Sequence, residues 1–369
     1  MLERAEALLA EANAAEVHRA HLLLLRAELD FDGGDLSAAA DRAEHARTLA
    51  CRVGAERIEL QATKCLADTL YESGKLDDAD RLAAEVAARV PEELAWLGGM
   101  AGWVRGMCAV ERGAYAVATS LGRAELERCR RTQERDGAQE AAFLLVAADP
   151  VGNRGLVEPE LASIGDTTSW IAHLQLKNCH ITYRLLDRDF HAASLMAADA
   201  AVIAAALPHC WEQIEANLRL GDASAAASDL PQALEAYDEA LTIAVERGSV
   251  LRAADALDGY ASALATIDAP TARGAACAAQ LVRRAHRAGP RPRPWLSRPA
   301  GVGTGRAPAG WVRDGKATTQ AVVALRQVVA LGVAGNQTRP LAKLSRSEFA
   351  VRYTGHGRWQ RRPIVALSR

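Results

Sequence analysis

Residues 220–240 read Leu-Gly-Asp-Ala-Ser-Ala-Ala-Ala-Ser-Asp-Leu-Pro-Gln-Ala-Leu-Glu-Ala-Tyr-Asp-Glu-Ala, and this stretch decides the fold. Taking Ser228 as the origin of a turn, Leu230 follows two positions on, Ala233 five, Tyr237 nine and Ala240 twelve. Offsets of five, nine and twelve differ by four and three, so these side chains share one face of a helix. The pair Leu220-Gly221 stands upstream of the turn, where a preceding helix would pack closely on that face.

The same frame recurs about every forty residues. Seven such signatures can be sought and six are found, with origins at Gly34, Gly74, Gly113, Arg188, Ser228 and Ile267. Five positions later stand Ala39, Ala79, Ala118, Ala193, Ala233 and Ala272, and nine later Ala43, Ala83, Gly122, Ala197, Tyr237 and Ala276. A fixed period of this length marks stacked units, each a helix, a short turn and a second helix that cannot bury its face alone. Gly34, Gly74 and Gly113 suit a helix C-terminus, where a left-handed backbone is easiest for glycine. Pro91 closes the second unit, because proline cannot extend the preceding helix. Between Gly113 and Arg188 the pattern is irregular around Asp149-Pro150-Val151-Gly152-Asn153, and a distorted repeat and an interruption of the stack both fit.

The 220–240 stretch, and Leu66-Ala67 through Gly74, Leu76, Ala79 and Ala83 to Pro91, resemble the tetratricopeptide repeat. The period is longer than that family's usual ~34 residues, which implies longer helices or looser turns. The resemblance implies an all-α, right-handed superhelical solenoid of helix pairs over residues 1–288, followed by a poorly ordered basic tail with short helices.

Composition agrees with an all-helical chain: half of the 369 residues are hydrophobic, few are aromatic, and β-favouring runs are scarce. The opening Met1-Leu2-Glu3-Arg4-Ala5-Glu6 is charged and periodic, unlike a signal peptide, and no apolar run approaches the ~20 residues of a membrane helix. A cytoplasmic, bacterial protein with no membrane partner is expected. Cys51, Cys65, Cys108, Cys129, Cys179, Cys210 and Cys277 are scattered and odd in number, as reduced packing residues would be. Cys179-His180 and His209-Cys210 are the only pairs that suggest a metal. Adjacent helical residues diverge, however, so no metal site is expected.

The net charge of −2 conceals a division. From Ala269 onward nineteen Lys and Arg face only Asp314 and Glu348, leaving 25 of the 44 basic and 44 of the 46 acidic residues before them. An acidic body with a basic tail suggests contact with nucleic acid, or of the tail with the body itself. Gly289-Pro290-Arg291-Pro292-Arg293-Pro294 opens a Pro, Gly and Arg-rich stretch that reads as a linker over 289–310.

In the basic segment 311–369, Trp311-Val312-Arg313-Asp314-Gly315-Lys316-Ala317-Thr318-Thr319-Gln320-Ala321-Val322 is similar to the end of the repeat region in large bacterial LuxR-type regulators of the MalT-like group. The resemblance implies a degenerate helix-turn-helix beyond it. Lys343, Arg346, Ser347, Arg352, Tyr353, Arg358, Arg361 and Arg362 are then the candidates for phosphate or base contacts. Pro340 and a gap three residues short between Ala342 and Ser345 depart from the family pattern, so salt-sensitive, nonspecific attraction is the stronger expectation. The abrupt loss of acids after Asp268 is also what a shifted reading frame in a GC-rich gene would leave. A truncated or frameshifted piece of a larger regulator is thus one reading.

No catalytic constellation is expected. Gly301-Val302-Gly303-Thr304-Gly305-Arg306 lacks the G-K-[ST] ending of a phosphate loop, and neither a zinc-protease H-E-x-x-H nor a G-x-S-x-G elbow occurs. The resembling regulators carry an ATP-binding module ahead of their repeats, whereas this chain starts inside repeats, so no cofactor is carried over. The expectation is a non-enzymatic protein-binding scaffold whose inner groove is lined by the first helix of each unit. Arg26, Lys64, Arg105, Asn178 and Asn217 are the candidate groove residues for a protein or peptide ligand. Two functions remain open: the signal-sensing part of a LuxR-type transcription regulator, or a stand-alone adaptor with an inert or autoinhibitory tail.

Overall fold

Each expected turn among the described residues proves to be a left-handed hinge between two helices. The computed structural model of the chain describes residues 4, 16–162, 169–265, 268–289, 291, 293 and 295. Among these, fourteen α-helices and no strands occur. They pair as α1 (Glu16–Asp32) with α2 (Leu36–Arg52), α3 (Glu56–Glu72) with α4 (Leu76–Arg89), α5 (Ala95–Glu111) with α6 (Tyr115–Thr132), and α7 (Arg135–Ala148) with α8 (Arg154–Leu161). Then follow α9 (Trp170–Leu186) with α10 (Phe190–Ala205), α11 (Cys210–Ala226) with α12 (Leu230–Arg247), and α13 (Val250–Leu264) with α14 (Ala269–Ala285). Pairs pack on their sequence neighbours in order, and every first helix also touches the next first helix, from α1 to α13. The architecture is an α-solenoid. No helix among the described residues is long and apolar enough to cross a membrane.

Five of the six turn origins are described, and all have positive φ: Gly34 (78°), Gly74 (74°), Gly113 (74°), Arg188 (62°) and Ser228 (67°). Ile267 lies outside the described residues. In each of the five, the next residue donates its N–H to the carbonyl five residues back, as in Asp229 to Ser224 (2.8 Å) and Asp35 to Asp30 (2.8 Å). This closure satisfies the orphan carbonyls of the first helix. At three turns that same residue is an aspartate that also caps the second helix: Asp35, Asp189 and Asp229 accept from the backbone N–H three residues on. Termination and initiation thus occupy adjacent residues, which makes the hinge short.

The face at offsets five and nine is buried as expected. Ala39, Ala79, Ala118, Ala193 and Ala233 are fully buried, and so are Ala43, Ala83, Ala197 and Tyr237. The last pair departs slightly: Ala275 and Ala279 are buried whereas Ala276 is half-buried. The irregular region between Gly113 and Arg188 is a distorted repeat. Helix α7 packs on both α5 and α9, so the row of first helices is unbroken. Its partner α8 is only eight residues long and contains Pro159. The turn is held by Asn153 instead of a left-handed residue: its side-chain amide donates to the Leu145 carbonyl (3.0 Å) and its oxygen accepts from Arg123 (3.1 Å).

Small residues set how closely the helices approach. A Cβ on Gly221 would lie 2.5 Å from the Tyr237 ring, and one on Gly259 would lie 2.3 Å from it. The ring is therefore seated between two first helices, α11 and α13, with its hydroxyl donating to Asp222 at 2.8 Å. Gly259→Ala is expected to destabilise the fold by about 1–3 kcal/mol through overpacking. Gly102→Ala has the opposite sign: that helical glycine has open space where its Cβ would be, so the variant gains up to about 1 kcal/mol. Urea unfolding of both variants reads the two signs.

Candidate functional site

The concave face is built mainly from first helices. A chamber of about 360 Å³ is lined from α1, α3, α5, α7, α9 and α11, plus His209, which precedes α11. Its walls carry the carboxylates of Glu28, Asp32, Asp68, Glu72, Glu140 and Glu212, against the single ammonium of Lys64 and the His209 imidazole. Lys64 is held by Asp68 one helical turn away at 2.6 Å, and His209 lies 3.2 Å from Asp32.

Although the chain has only 7 Trp, 6 Tyr and 4 Phe, a run of edge-to-face rings crosses this region. Tyr71 meets Trp103 at 6.1 Å, Trp103 meets Trp211 at 6.0 Å, and Trp211 meets Phe143 at 5.6 Å.

Beyond Tyr71 the same face becomes a network of buried charges. Arg252 of α13 is 1% exposed and donates to Glu215 (3.0 Å), Asp255 (2.6 Å), Glu111 and the Tyr71 hydroxyl (3.3 Å). Arg283 of α14 binds Asp255 (2.7 Å) and Asp258 (2.6 Å). Ser249 donates to Glu72 (2.7 Å), and the His286 ring bonds the Gly74 carbonyl (3.0 Å), so the last pair returns onto the second.

Into this network runs the start of the segment that the sequence reads as a linker. The Gly289 N–H donates to the Glu111 carbonyl at 2.6 Å. Arg291 binds Glu215 (2.7 Å) and Glu111 (3.1 Å), Arg293 binds Asp222 (3.2 Å), and the Trp295 indole N–H donates to Asp222 (3.1 Å). The Arg219 guanidinium lies over the Trp295 ring, 5.6 Å from its centroid. Three side chains two residues apart thus grip one wall, with both guanidinia less than 10% exposed.

Burial and partners separate the acids into two groups. For Asp255, burial alone would raise the pKa, but Arg252, Arg283, Arg291 and Arg293 outweigh it and hold the carboxyl well below its usual range. Glu215 is likewise lowered, burial being outweighed by Arg291, Arg252 and Arg219. In the chamber burial prevails: it pushes Glu72 and Glu140 up to about 7 and Glu212 to about 8, with Arg252 and Lys64 only partly offsetting it at Glu72 and Glu140.

Of the groove residues expected from sequence, Lys64 lines the chamber. Arg26 is half-buried on α1. Arg105 turns to the neighbouring unit and pairs with Asp80 at 3.3 Å. Asn178 is 3% exposed in the α9 wall, and Asn217 donates to the Gln213 carbonyl of its own helix (2.9 Å). The five do not converge on one point. His180, one of the imagined metal ligands, instead bonds the Leu161 carbonyl (3.2 Å). The candidate DNA contacts Lys343, Arg346, Ser347, Arg352, Tyr353, Arg358, Arg361 and Arg362 lie outside the described residues, as does 296–369 entirely.

Sequence reasoning missed the carboxylates, yet six of them are in register. Asp32, Glu72 and Glu111 stand two residues before their turn origins, and Glu28, Asp68 and Asp222 stand six before theirs. These two offsets are one helical turn apart, so on α1 and α3, which carry acids at both, they form an acidic edge.

No protein-family model matches the chain, and no curated protein is significantly similar to it.

The raised Glu212 yields a test. A carboxyl with a folded value near 8 and an unfolded value near ~4.3 keeps a proton that the unfolded chain releases. Its contribution is therefore full below about pH 4 and is lost as pH rises towards 8. Glu212→Gln removes the titration. Its stability relative to the parent is expected to improve from pH 5 to pH 8 by on the order of 3 kcal/mol. Chemical denaturation at both pH values measures this, and a difference independent of pH contradicts it.

Proposed function

We propose that this chain is a non-catalytic recognition scaffold whose concave face binds extended, arginine-bearing peptide. The observation that carries this reading is the chain's own Arg291, Arg293 and Trp295, spaced by two and seated on Glu111, Glu215, Asp222 and Asp255 from three first helices. A guanidinium fork suits such a wall because it can bond two carboxylates at once. The segment acts as an internal ligand that a partner of like chemistry replaces. In the full chain, Arg291→Ala/Arg293→Ala is expected to bind a synthetic peptide of residues 289–295 that the parent ignores, with affinity falling as salt rises. Isothermal titration with a melting check measures this; equal binding by both proteins opposes the reading.

At a finer level, we infer the sensing part of a bacterial LuxR-type transcription regulator, with residues 311–369 meeting nucleic acid. Support comes from the likeness of Trp311–Val322 to those regulators and from the basic excess after Ala269. The second reading, a stand-alone adaptor with an autoinhibitory tail, is favoured by the internal ligand itself. A chain ending at Trp295 keeps that ligand and removes the candidate DNA contacts. Duplex binding by the full chain at low salt, lost in this shorter chain, supports the regulator. Absence of binding by both supports the adaptor.

A further inference from the structure

The arginine segment bonds to acids of α5, α11 and α13, and none of its described hydrogen bonds or ion pairs reaches a residue that lines the chamber. We propose that the chamber is a second, separate site, which takes a small aliphatic cation with two ammonium groups.

Four observations lead to this chemistry. Glu212 is 7% exposed and lines the chamber, yet among the described residues no side chain donates to it. Its own backbone N–H bonds to it, and the neighbouring charges that act on it most, Glu72, Asp32 and Glu215, are all carboxylates. A buried carboxyl in such company either keeps its proton or takes a cation from outside the fold.

The second observation is the spread of charge. Among the described residues no three His, Cys, Asp or Glu side chains converge closely enough to hold a metal ion, although six carboxylates face one space. A point charge could satisfy few of them. A chain with charges at both ends reaches opposite walls.

Third, the interior between those walls is aromatic and aliphatic: Trp103, Trp211 and Tyr71 with Met100 and Ile171. These surfaces match a methylene body, and indole faces attract an ammonium head. Fourth, this wall already pairs an ammonium with a carboxylate, Lys64 with Asp68. At the arginine segment, by contrast, each guanidinium of Arg252 and Arg291 bridges acids on different helices. A volume of about 360 Å³ lies at the lower end of the roughly 300–1,000 Å³ typical of small-molecule sites.

The test is isothermal titration of the full chain at pH 8 and constant ionic strength, with 1,4-diaminobutane, n-butylamine and L-arginine amide as probes. The diamine is expected to bind at least tenfold more tightly than either monofunctional probe. Glu212→Gln and Glu140→Gln should each weaken it tenfold or more, whereas Glu92→Gln, which removes an exposed acid outside the chamber, should leave it unchanged. The two chamber variants remove buried charge, so they are expected to fold at least as stably as the parent, and melting curves verify this. No diamine binding overturns the proposal, as does tighter binding of arginine amide or parent-like binding by both chamber variants. Because the arginine segment uses other residues, failure here leaves the peptide reading standing, and failure of the peptide exchange leaves this one standing.

Discussion

Arg252 is the contact on which the rest of the concave face depends. Its guanidinium is 1% exposed and joins Glu111 of α5, Glu215 of α11 and Asp255 of its own helix. Withdrawing four charges from water is costly, and the cost is offset only when each finds a partner in good geometry. A solenoid whose pairs touched only their sequence neighbours could leave its inner acids in water. Here the seventh pair returns to the second and third, so the acids are enclosed and a cation between them becomes a structural requirement. Arg283, Arg291 and Arg293 extend the same solution along the wall.

The two halves of the face differ in how their acids are satisfied. Near Asp255, guanidinia from α13, α14 and the segment after them keep the carboxyl ionised. In the chamber, Lys64 answers Asp68, and burial raises Glu72, Glu140 and Glu212 towards neutrality. Tyr71 belongs to both halves. Its ring packs edge-on against Trp103, and its hydroxyl donates to Glu111 while accepting from Arg252. The boundary between the two environments is therefore one side chain thick.

The second helices were legible in the sequence because their requirement is steric and local. An alanine five positions after a left-handed residue can be small for only one purpose, and Ala39, Ala79, Ala118, Ala193 and Ala233 all meet it. The fourth pair escaped because Asn153 closes its turn through side-chain hydrogen bonds that leave no small residue at the expected place. The concave face was legible only in part. Lys64 lines it, but Arg105 looks identical in sequence and is claimed by Asp80 of the previous unit. Buried acids resemble solvated ones in composition, since what distinguishes them is the arginine that arrives from far along the chain. Glu111 and Arg291 are 180 residues apart.

The alternation of proline and arginine after Gly289 illustrates the same limit from the other side. A stretch without helical period reads as a connection between domains, and intrinsic preference alone allows nothing else. Its order comes from outside: Glu111, Glu215, Asp222 and Asp255, which the stacking of α5, α11 and α13 brings to one wall. Such a wall offers carboxylates that a non-helical segment can meet with every second residue. Arg291, Arg293 and Trp295 do match it, and the spacing that denies them a helix is the one that lets all three face the same wall.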